Sequence, residues 1–513
     1  MILGENSGGN GAQAGTTLDD ILRLNAARNP DAIALIDPPD REAFTDGEPR
    51  RLTFAQADQI VSAIAARLRE TGLPADSVVA LQFPNTCEGI LSLLGIMRAK
   101  MIAAPMPVLW RRAECVAALA QIGTKALITC GRIGDTDHAI LAMQVAAEIF
   151  SIRYVCGFGA SLPEGLRSFD DLFLDPSPAP LELDLRDHPA LHVAAVTFDT
   201  TPDGIVPVAR SHAQFLAGGL PALAESRLLP ESTMLSSLSA ASFAGLALTL
   251  VPWLISGGTL HLHQPFDPAV LSAQLQEQPC DLAILPGSLM ARMAEAEIFA
   301  HSCSPKHILA FWRAPERLAL GAPWLVRDVA LTDVAIFGEI GLCAAHRDDG
   351  RPAPLPAGKI RAPQGAAGAV VVADIARSPS GTLCFGGPMT PRHAFPPHVA
   401  GSGGSYFKSA DDGNLDTGYP CRPDAETDGL VVTGPPAGLV SVGGYRFCMR
   451  EVREVVAQAD KEASVAAFPD AFAGHRLAGH GKDRAAMREA LTEIGLNPLI
   501  VRAFRERGAP AAA

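Results

Sequence analysis

Val196-Thr-Phe-Asp-Thr-Thr-Pro-Asp-Gly-Ile-Val-Pro-Val-Ala-Arg-Ser-His212 continues an apolar run that opens at Leu191. The run 191–198 reads as a strand, and the stretch from Asp199 to Val208 as a turn leading to a helix. A strand–turn–helix junction is where backbone N–H groups can gather around a phosphate, which takes glycine and a nest-like turn. Thr197, Thr200, Thr201 and Gly204 suit such a turn. Asp199 does not, because it adds negative charge where phosphate would sit. Val206 carries no charge and Pro207 has no N–H to offer.

Outward from this segment, helix and strand patterns alternate. Thr17-Leu-Asp-Asp-Ile-Leu opens an amphipathic helix, with Thr16 or Thr17 as its cap, and a helix from Leu52 keeps three- and four-residue apolar spacing through Leu68. Strands are expected at 32–36, 78–83, 126–129, 152–156, 259–262 and 282–286 as continuous apolar runs, and such runs belong to parallel sheets covered on both faces. After about residue 355 glycine and proline become dense and short strands appear, which marks a β-rich unit. The expected fold is α/β. A disordered N-terminus (1–15) precedes a large domain (16–433) of stacked parallel-sheet subdomains, with the β-rich subdomain at about 355–433. A small, shortened α+β domain (434–513) follows.

A chain of 513 residues has room for two or three domains. A formal net charge of −13 and the lack of any Lys/Arg run argue against nucleic-acid binding. The 10 cysteines form no C-x-x-C pair and read as reduced thiols. The longest apolar run, 243–255, is broken by Pro252 and falls short of the roughly 18 residues of a membrane span. Met1-Ile-Leu-Gly-Glu-Asn lacks a basic leader, so a cytoplasmic protein is expected.

Landmarks spread along the chain carry a family resemblance. Phe83-Pro-Asn, Gly95-Ile-Met-Arg-Ala, Gly257-Gly-Thr-Leu, Leu285-Pro-Gly, Phe337-Gly-Glu-Ile-Gly, Asp416-Thr-Gly-Tyr and Val442-Gly-Gly-Tyr-Arg-Phe stand in the order seen in adenylate-forming enzymes of the acyl-CoA synthetase (AMP-dependent ligase) superfamily, which this chain resembles over nearly its whole length. The resemblance implies ATP, magnesium and coenzyme A as cofactors, and a carboxylic acid or an acyl-CoA as the small-molecule partner. A protein partner is a further option.

Against that pattern the nucleotide motifs are eroded. The family's phosphate loop reads T-S-G-T-T-G-x-P-K-G; here its lysine position falls on Val206. The aromatic-Gly-x-Thr-Glu motif reads Phe337-Gly338-Glu339-Ile340-Gly341, which leaves Glu339 as the candidate metal ligand, one or two positions out of place. The adenine-side segment keeps Ala314 and Pro315 but carries Trp312 and Arg313 in place of small residues. The ribose motif Thr-Gly-Asp is Thr417-Gly418-Tyr419, and a tyrosine hydroxyl is a poor substitute for a paired carboxylate acceptor. The hinge motif reads Gly434-Pro435-Pro436-Ala437, without arginine. The lysine expected near the C-terminus has no counterpart after Lys482, which reads as a surface residue. No catalytic residue is intact. Phe243, Leu285 and Phe337 are candidates for the wall of an acyl pocket.

His261 and His263 share one face of a strand, as a polar sheet face or as two metal ligands. Two readings of the whole remain. In one, the fold is kept and adenylation is impaired or lost. In the other, a divergent acyl- or aryl-CoA ligase uses Arg313, Arg210 or Glu339 in new roles. A cleft filled by Trp312 or Tyr419 would favour the first, and an open one lined by Arg313 the second.

Overall fold

The computed structural model describes residues 15–174, 176, 186–300, 305–362, 370–396, 407–410 and 413–505. The expected disordered N-terminus lies outside these residues except for Gly15.

Two mainly parallel sheets form the bulk of the molecule. The first runs, edge to edge, Gly341–His346, Ala330–Phe337, His307–Trp312, Leu282–Pro286, Met234–Ser236, Leu260–Leu262, Ile33–Ile36 and Arg51–Thr53. Its two outermost pairs are antiparallel and the inner ones parallel. The second runs Gly204–Ser211, Val193–Thr201, Ile102–Pro105, Val78–Gln82, Ala126–Cys130, Tyr154–Phe158 and Arg167–Ser168. Strands such as Val78–Gln82 are buried at every position, as the apolar runs require when helices cover both faces. One continuous apolar core, with Phe54, Leu94, Phe215, Trp253 and Leu309, links the elements of both sheets.

Local chemistry sets the helix starts. Thr17 caps Leu18–Arg28 and Thr53 caps Phe54–Arg69, each through a reciprocal capping box. The stretch from Leu52 therefore begins as the short strand Arg51–Thr53, and the helix starts two residues later than its periodicity suggests. Ser211 and Gln214 make the same box for His212–Ser226. Within it, His212 Nδ1 accepts from the Leu18 N–H at 3.3 Å, tying two helix starts together.

The decisive segment is not a loop. Val193–Thr201 and Gly204–Ser211 form an antiparallel hairpin, with Thr201 opposite Gly204. Only Pro202 and Asp203 turn the chain. Ile205, Val206, Pro207 and Val208 alternate along a strand, and this β pattern overrides the turn reading of Asp199 to Val208.

Between 358 and 432 the chain builds a five-stranded antiparallel sheet ending in Leu415–Pro423 and Leu430–Val432. The last sheet contains Tyr445–Cys448, Leu439–Val442, Gly474–His480 and Ser464–Asp470. Helices Met449–Ala459 and Arg484–Ile494 cover it around a separate core of Phe447, Val456, Leu491 and Phe504. This C-terminal unit meets the rest of the molecule at several points. Arg450 donates to the Pro202 carbonyl at the hairpin tip (2.9 Å), and Glu114 accepts from the Asn497 N–H (2.7 Å).

Candidate functional site

A cleft of about 590 Å³ opens where the strand ends of both sheets face the C-terminal unit. Such volumes are typical of small-molecule sites. Its apolar walls include Leu109, Trp110, Phe198, Leu238, Phe311 and Trp312, and its charged groups are Asp199, Arg313, Arg317, Glu339 and Arg446.

Asp199 is the centre of this site. Its Oδ1 accepts from the Thr200 N–H (2.8 Å) and from Arg446 Nη1 (2.8 Å), and its Oδ2 accepts from the Glu339 N–H (2.9 Å). Two backbone N–H groups and a guanidinium converge on one carboxylate. Arg446 also donates to the Tyr419 hydroxyl at 2.9 Å and lies over the tyrosine ring, 5.6 Å from its centroid. Burial works against the Arg446 charge, but Asp199 and Tyr419 outweigh it and hold the pKa above its ordinary value. Burial pushes the Tyr419 phenol up to about 12, so it stays a neutral hydroxyl.

Glu339 sits beneath this pair. Its Oε2 accepts from the Thr197 hydroxyl (2.5 Å) and the Phe243 N–H (2.8 Å), and Arg210 Nη1 approaches to 3.9 Å. Burial raises its pKa to about 7; Arg210 opposes the shift and Asp199 adds to it. Arg210 is fully buried, donates to the Met389, Glu339 and Ile340 carbonyls, and stacks on Phe243 at 3.9 Å. It braces the backbone and does not line the cleft.

Of the residues expected at the site, Asp199, Thr200, Trp312, Arg313, Ala314, Gly338 and Glu339 line the cleft. Arg313 crosses it, with Nη2 donating to Ser242 Oγ (2.9 Å) and its side chain against Gly444. Trp312 is one wall and does not fill the space, because its indole N–H is drawn to Asp333 (2.8 Å) and its ring packs on Gly287. Thr197, Phe337, Thr417 and Tyr419 lie behind the wall as buried core. Pro315 opens the turn that follows Ala314. Thr201 and Gly204 are at the hairpin end, where Gly204 faces Glu451. Phe243 and Leu285, expected as acyl-pocket walls, are fully buried and outside the lining of this cleft. Phe243 is pinned under Arg210, and Leu285 belongs to the core of the first sheet's other face.

Sequence reasoning missed Arg446, although its neighbours Gly443 and Gly444 marked the turn that presents it. His261 and His263 each pair with a glutamine of the helix Pro268–Glu277 or its end, Gln278 and Gln274. Lys482 is exposed and pairs with Glu462. Among the described residues no three His, Cys, Asp or Glu side chains converge to hold a metal. A magnesium–triphosphate does not fit this arrangement: Asp199 already occupies the N–H groups, and Glu339 Oε2 serves Thr197 and Phe243.

A family model described as AMP-binding enzyme matches residues 22–166. A probable CoA ligase from Humulus lupulus is 34% identical over 140 residues, 27% of this chain and 24% of that protein. The salicyl-AMP ligase / salicyl-S-ArCP synthetase of Mycobacterium tuberculosis is 29% identical over 145 residues, 28% of this chain and 25% of that one. A beauvericin nonribosomal cyclodepsipeptide synthetase from Beauveria bassiana is 37% identical over 94 residues, 18% of this chain and 3% of its own length. The matched segments thus span far less than two thirds of these relatives.

Solved structures match along the chain. The amide bond synthetase McbA from Marinactinospora thermotolerans superposes with a TM-score of 0.69 at 18% identity, covering 94% of each chain. MbtA from Mycobacterium smegmatis gives 0.65 at 21% identity, covering 95% of this chain and 90% of its own. At these identities the likeness shows the fold. The chain therefore has the fold of the adenylate-forming enzymes, and its segment 22–166 is similar to the AMP-binding enzymes.

Proposed function

We propose that this chain is an acyl-CoA synthetase-like protein that binds a carboxylic acid or an acyl-CoA in its cleft and in which adenylation is impaired or lost. The observation that carries the reading is the Asp199 carboxylate, held by the Thr200 and Glu339 N–H groups and by Arg446. An internal anion at that point repels a second one, and the guanidinium nearest to it is already neutralised. Removal of one charge contact in such a site costs about 2–4 kcal/mol of transition-state stabilisation. The named activities of the partial relatives, a CoA ligase and a salicyl-AMP ligase, support a carboxylic acid as the ligand class. A cytoplasmic setting agrees with buried free cysteines such as Cys87, Cys115 and Cys343.

A second reading rests on the open cleft lined by Arg313, the arrangement expected of a divergent active ligase. About 590 Å³ remains beside Arg313, so a divergent acyl- or aryl-CoA ligase has room for its acid. ATP–pyrophosphate exchange with magnesium across a broad panel of carboxylic acids separates the two. The first reading expects exchange at background for every acid, and robust exchange with any acid overturns it in favour of the second.

A further inference from the structure

Arg317 stands where two cavities meet. Pro315 ends the run of the strand His307–Trp312 and starts the short turn Pro315–Leu320, which carries Arg317 to the cleft wall. The same side chain lines a smaller cavity of about 200 Å³, and Ser288, Trp312 and Phe472 are shared with it between the two spaces.

The other guanidiniums here are engaged. Arg347 pairs with Asp333 through Nε (2.6 Å) and Nη2 (2.9 Å), Arg446 with Asp199 (2.8 Å), and Arg313 donates to Ser242 (2.9 Å). The Arg317 side chain forms no hydrogen bond or ion pair with any described residue. Asp470 and Glu316 are close enough to feel its charge, but Asp470 Oδ1 accepts from the Phe472 and Ala473 N–H groups. Both Glu316 oxygens are buried without a hydrogen-bond partner, and burial raises that carboxyl's pKa. A half-buried guanidinium with no hydrogen-bonded counterion keeps its donors free, and an anionic group can take them with up to two parallel N–H···O bonds.

We propose that Arg317 anchors the charged end of the cleft's ligand, an apolar molecule that carries a carboxylate or a phosphate and seats that group at the junction of the two cavities. The proposal rests on the reading of the cleft as a ligand site. Trp312 and Phe472 flank the junction and supply the apolar contact, and Ser288 adds a hydroxyl beside the anion.

Titration calorimetry on the full chain with decanoate, decyl phosphate and decan-1-ol tests it, in the wild type, Arg317→Gln and Arg317→Lys. The wild type is expected to bind at least one anionic probe about tenfold or more tighter than the alcohol. Arg317→Gln, which removes no internal hydrogen bond, is expected to erase that preference and leave the affinity for decan-1-ol unchanged. Arg317→Lys is expected to keep part of it. The tighter of the two anions identifies the head group as carboxylate or phosphate. Equal binding of all three probes by the wild type, or an undiminished preference in Arg317→Gln, overturns the anchor and leaves the cleft reading standing. Failure of every probe to bind overturns both.

Discussion

Arg446 of the C-terminal unit and Asp199 of the hairpin meet at 2.8 Å, with side chains only 15% and 5% exposed. They are 247 positions apart in sequence and hold two separately cored parts of the molecule together across the cleft. Removing one member of a largely buried pair strands the other, which typically costs 3–5 kcal/mol. Asp199→Ala is therefore expected to destabilise the protein by about 3 kcal/mol. Arg446→Met in the Asp199→Ala background should cost much less than alone. Urea unfolding of the four corners of this cycle measures the coupling, and strictly additive losses would show that the pair does not bind the units together.

Asp199→Ser has a second expected outcome. It removes the internal anion and releases the Thr200 and Glu339 N–H groups and the Arg446 guanidinium. ATP affinity, read by calorimetry, is expected to rise about tenfold or more over the wild type, because each charge-assisted contact regained contributes about 1.5–3 kcal/mol. Unchanged affinity would mean that this carboxylate is not what opposes the triphosphate.

The titration of Glu339 runs against the usual acidic pattern. Its folded pKa, raised by burial to about 7, lies above its ordinary 4.5, so the folded state holds the proton more tightly. The associated stability is fully present below about pH 4.5 and is lost as pH rises through about 7. Glu339→Gln keeps an acceptor for Thr197 and Phe243 but does not titrate. Relative to wild type, this variant is expected to gain on the order of 2 kcal/mol between pH 5 and pH 8, read from urea midpoints. A constant difference across that range would contradict the assignment.

His212 gives the opposite slope. Burial lowers its pKa from 6.5 to about 4, and its neutral Nδ1 accepts from the Leu18 N–H. Here the unfolded chain binds the proton more tightly, so stability is full above about pH 6.5 and falls as pH drops through about 4. Protonation also breaks the bond that seats the helix Leu18–Arg28. Hydrogen exchange at the start of that helix is expected to accelerate between pH 6.5 and 4, once corrected for intrinsic rates, and unchanged protection would refute it.

The sheet architecture was legible because it depends on local pattern. Runs such as Leu282–Pro286 and caps such as Thr17 announce themselves within a few residues. The segment from Asp199 to Val208 was misread because Pro207 and Gly204 look like turn residues, whereas Pro207 lies on an edge strand where no ladder bond is needed from it. The site was legible only as a set of missing groups. What replaced them depends on contacts between residues far apart in the chain: Thr197 with Glu339 and Asp199 with Arg446 across more than a hundred positions, and Arg446 with Tyr419 across 27. No periodicity encodes such pairs. For the same reason Phe243 and Leu285, apolar and near family landmarks, could not be told apart from pocket walls until the core was seen to enclose them.

Gly338 offers the sharpest separation of backbone strain from the contacts around Asp199. Its φ is +56°, and a Cβ there would run into the Asp199 carboxylate and the Arg446 guanidinium. Gly443 has nearly the same φ, +57°, but a Cβ added there meets nothing within 4 Å. Both positions suit glycine because side chains disfavour that conformation. Gly443→Ala therefore measures the strain alone, about 1 kcal/mol. Gly338→Ala carries the same strain and also displaces the ion pair, so its loss is expected to be larger by about 2 kcal/mol. In an Asp199→Ala background the pair is already gone, and the two glycine substitutions should cost nearly the same. Thermal unfolding of the four variants reads the comparison. An equal loss at Gly338 and Gly443 in the native background would show that the Asp199–Arg446 contact yields to a methyl group without cost, and so is not what fixes the C-terminal unit over the cleft.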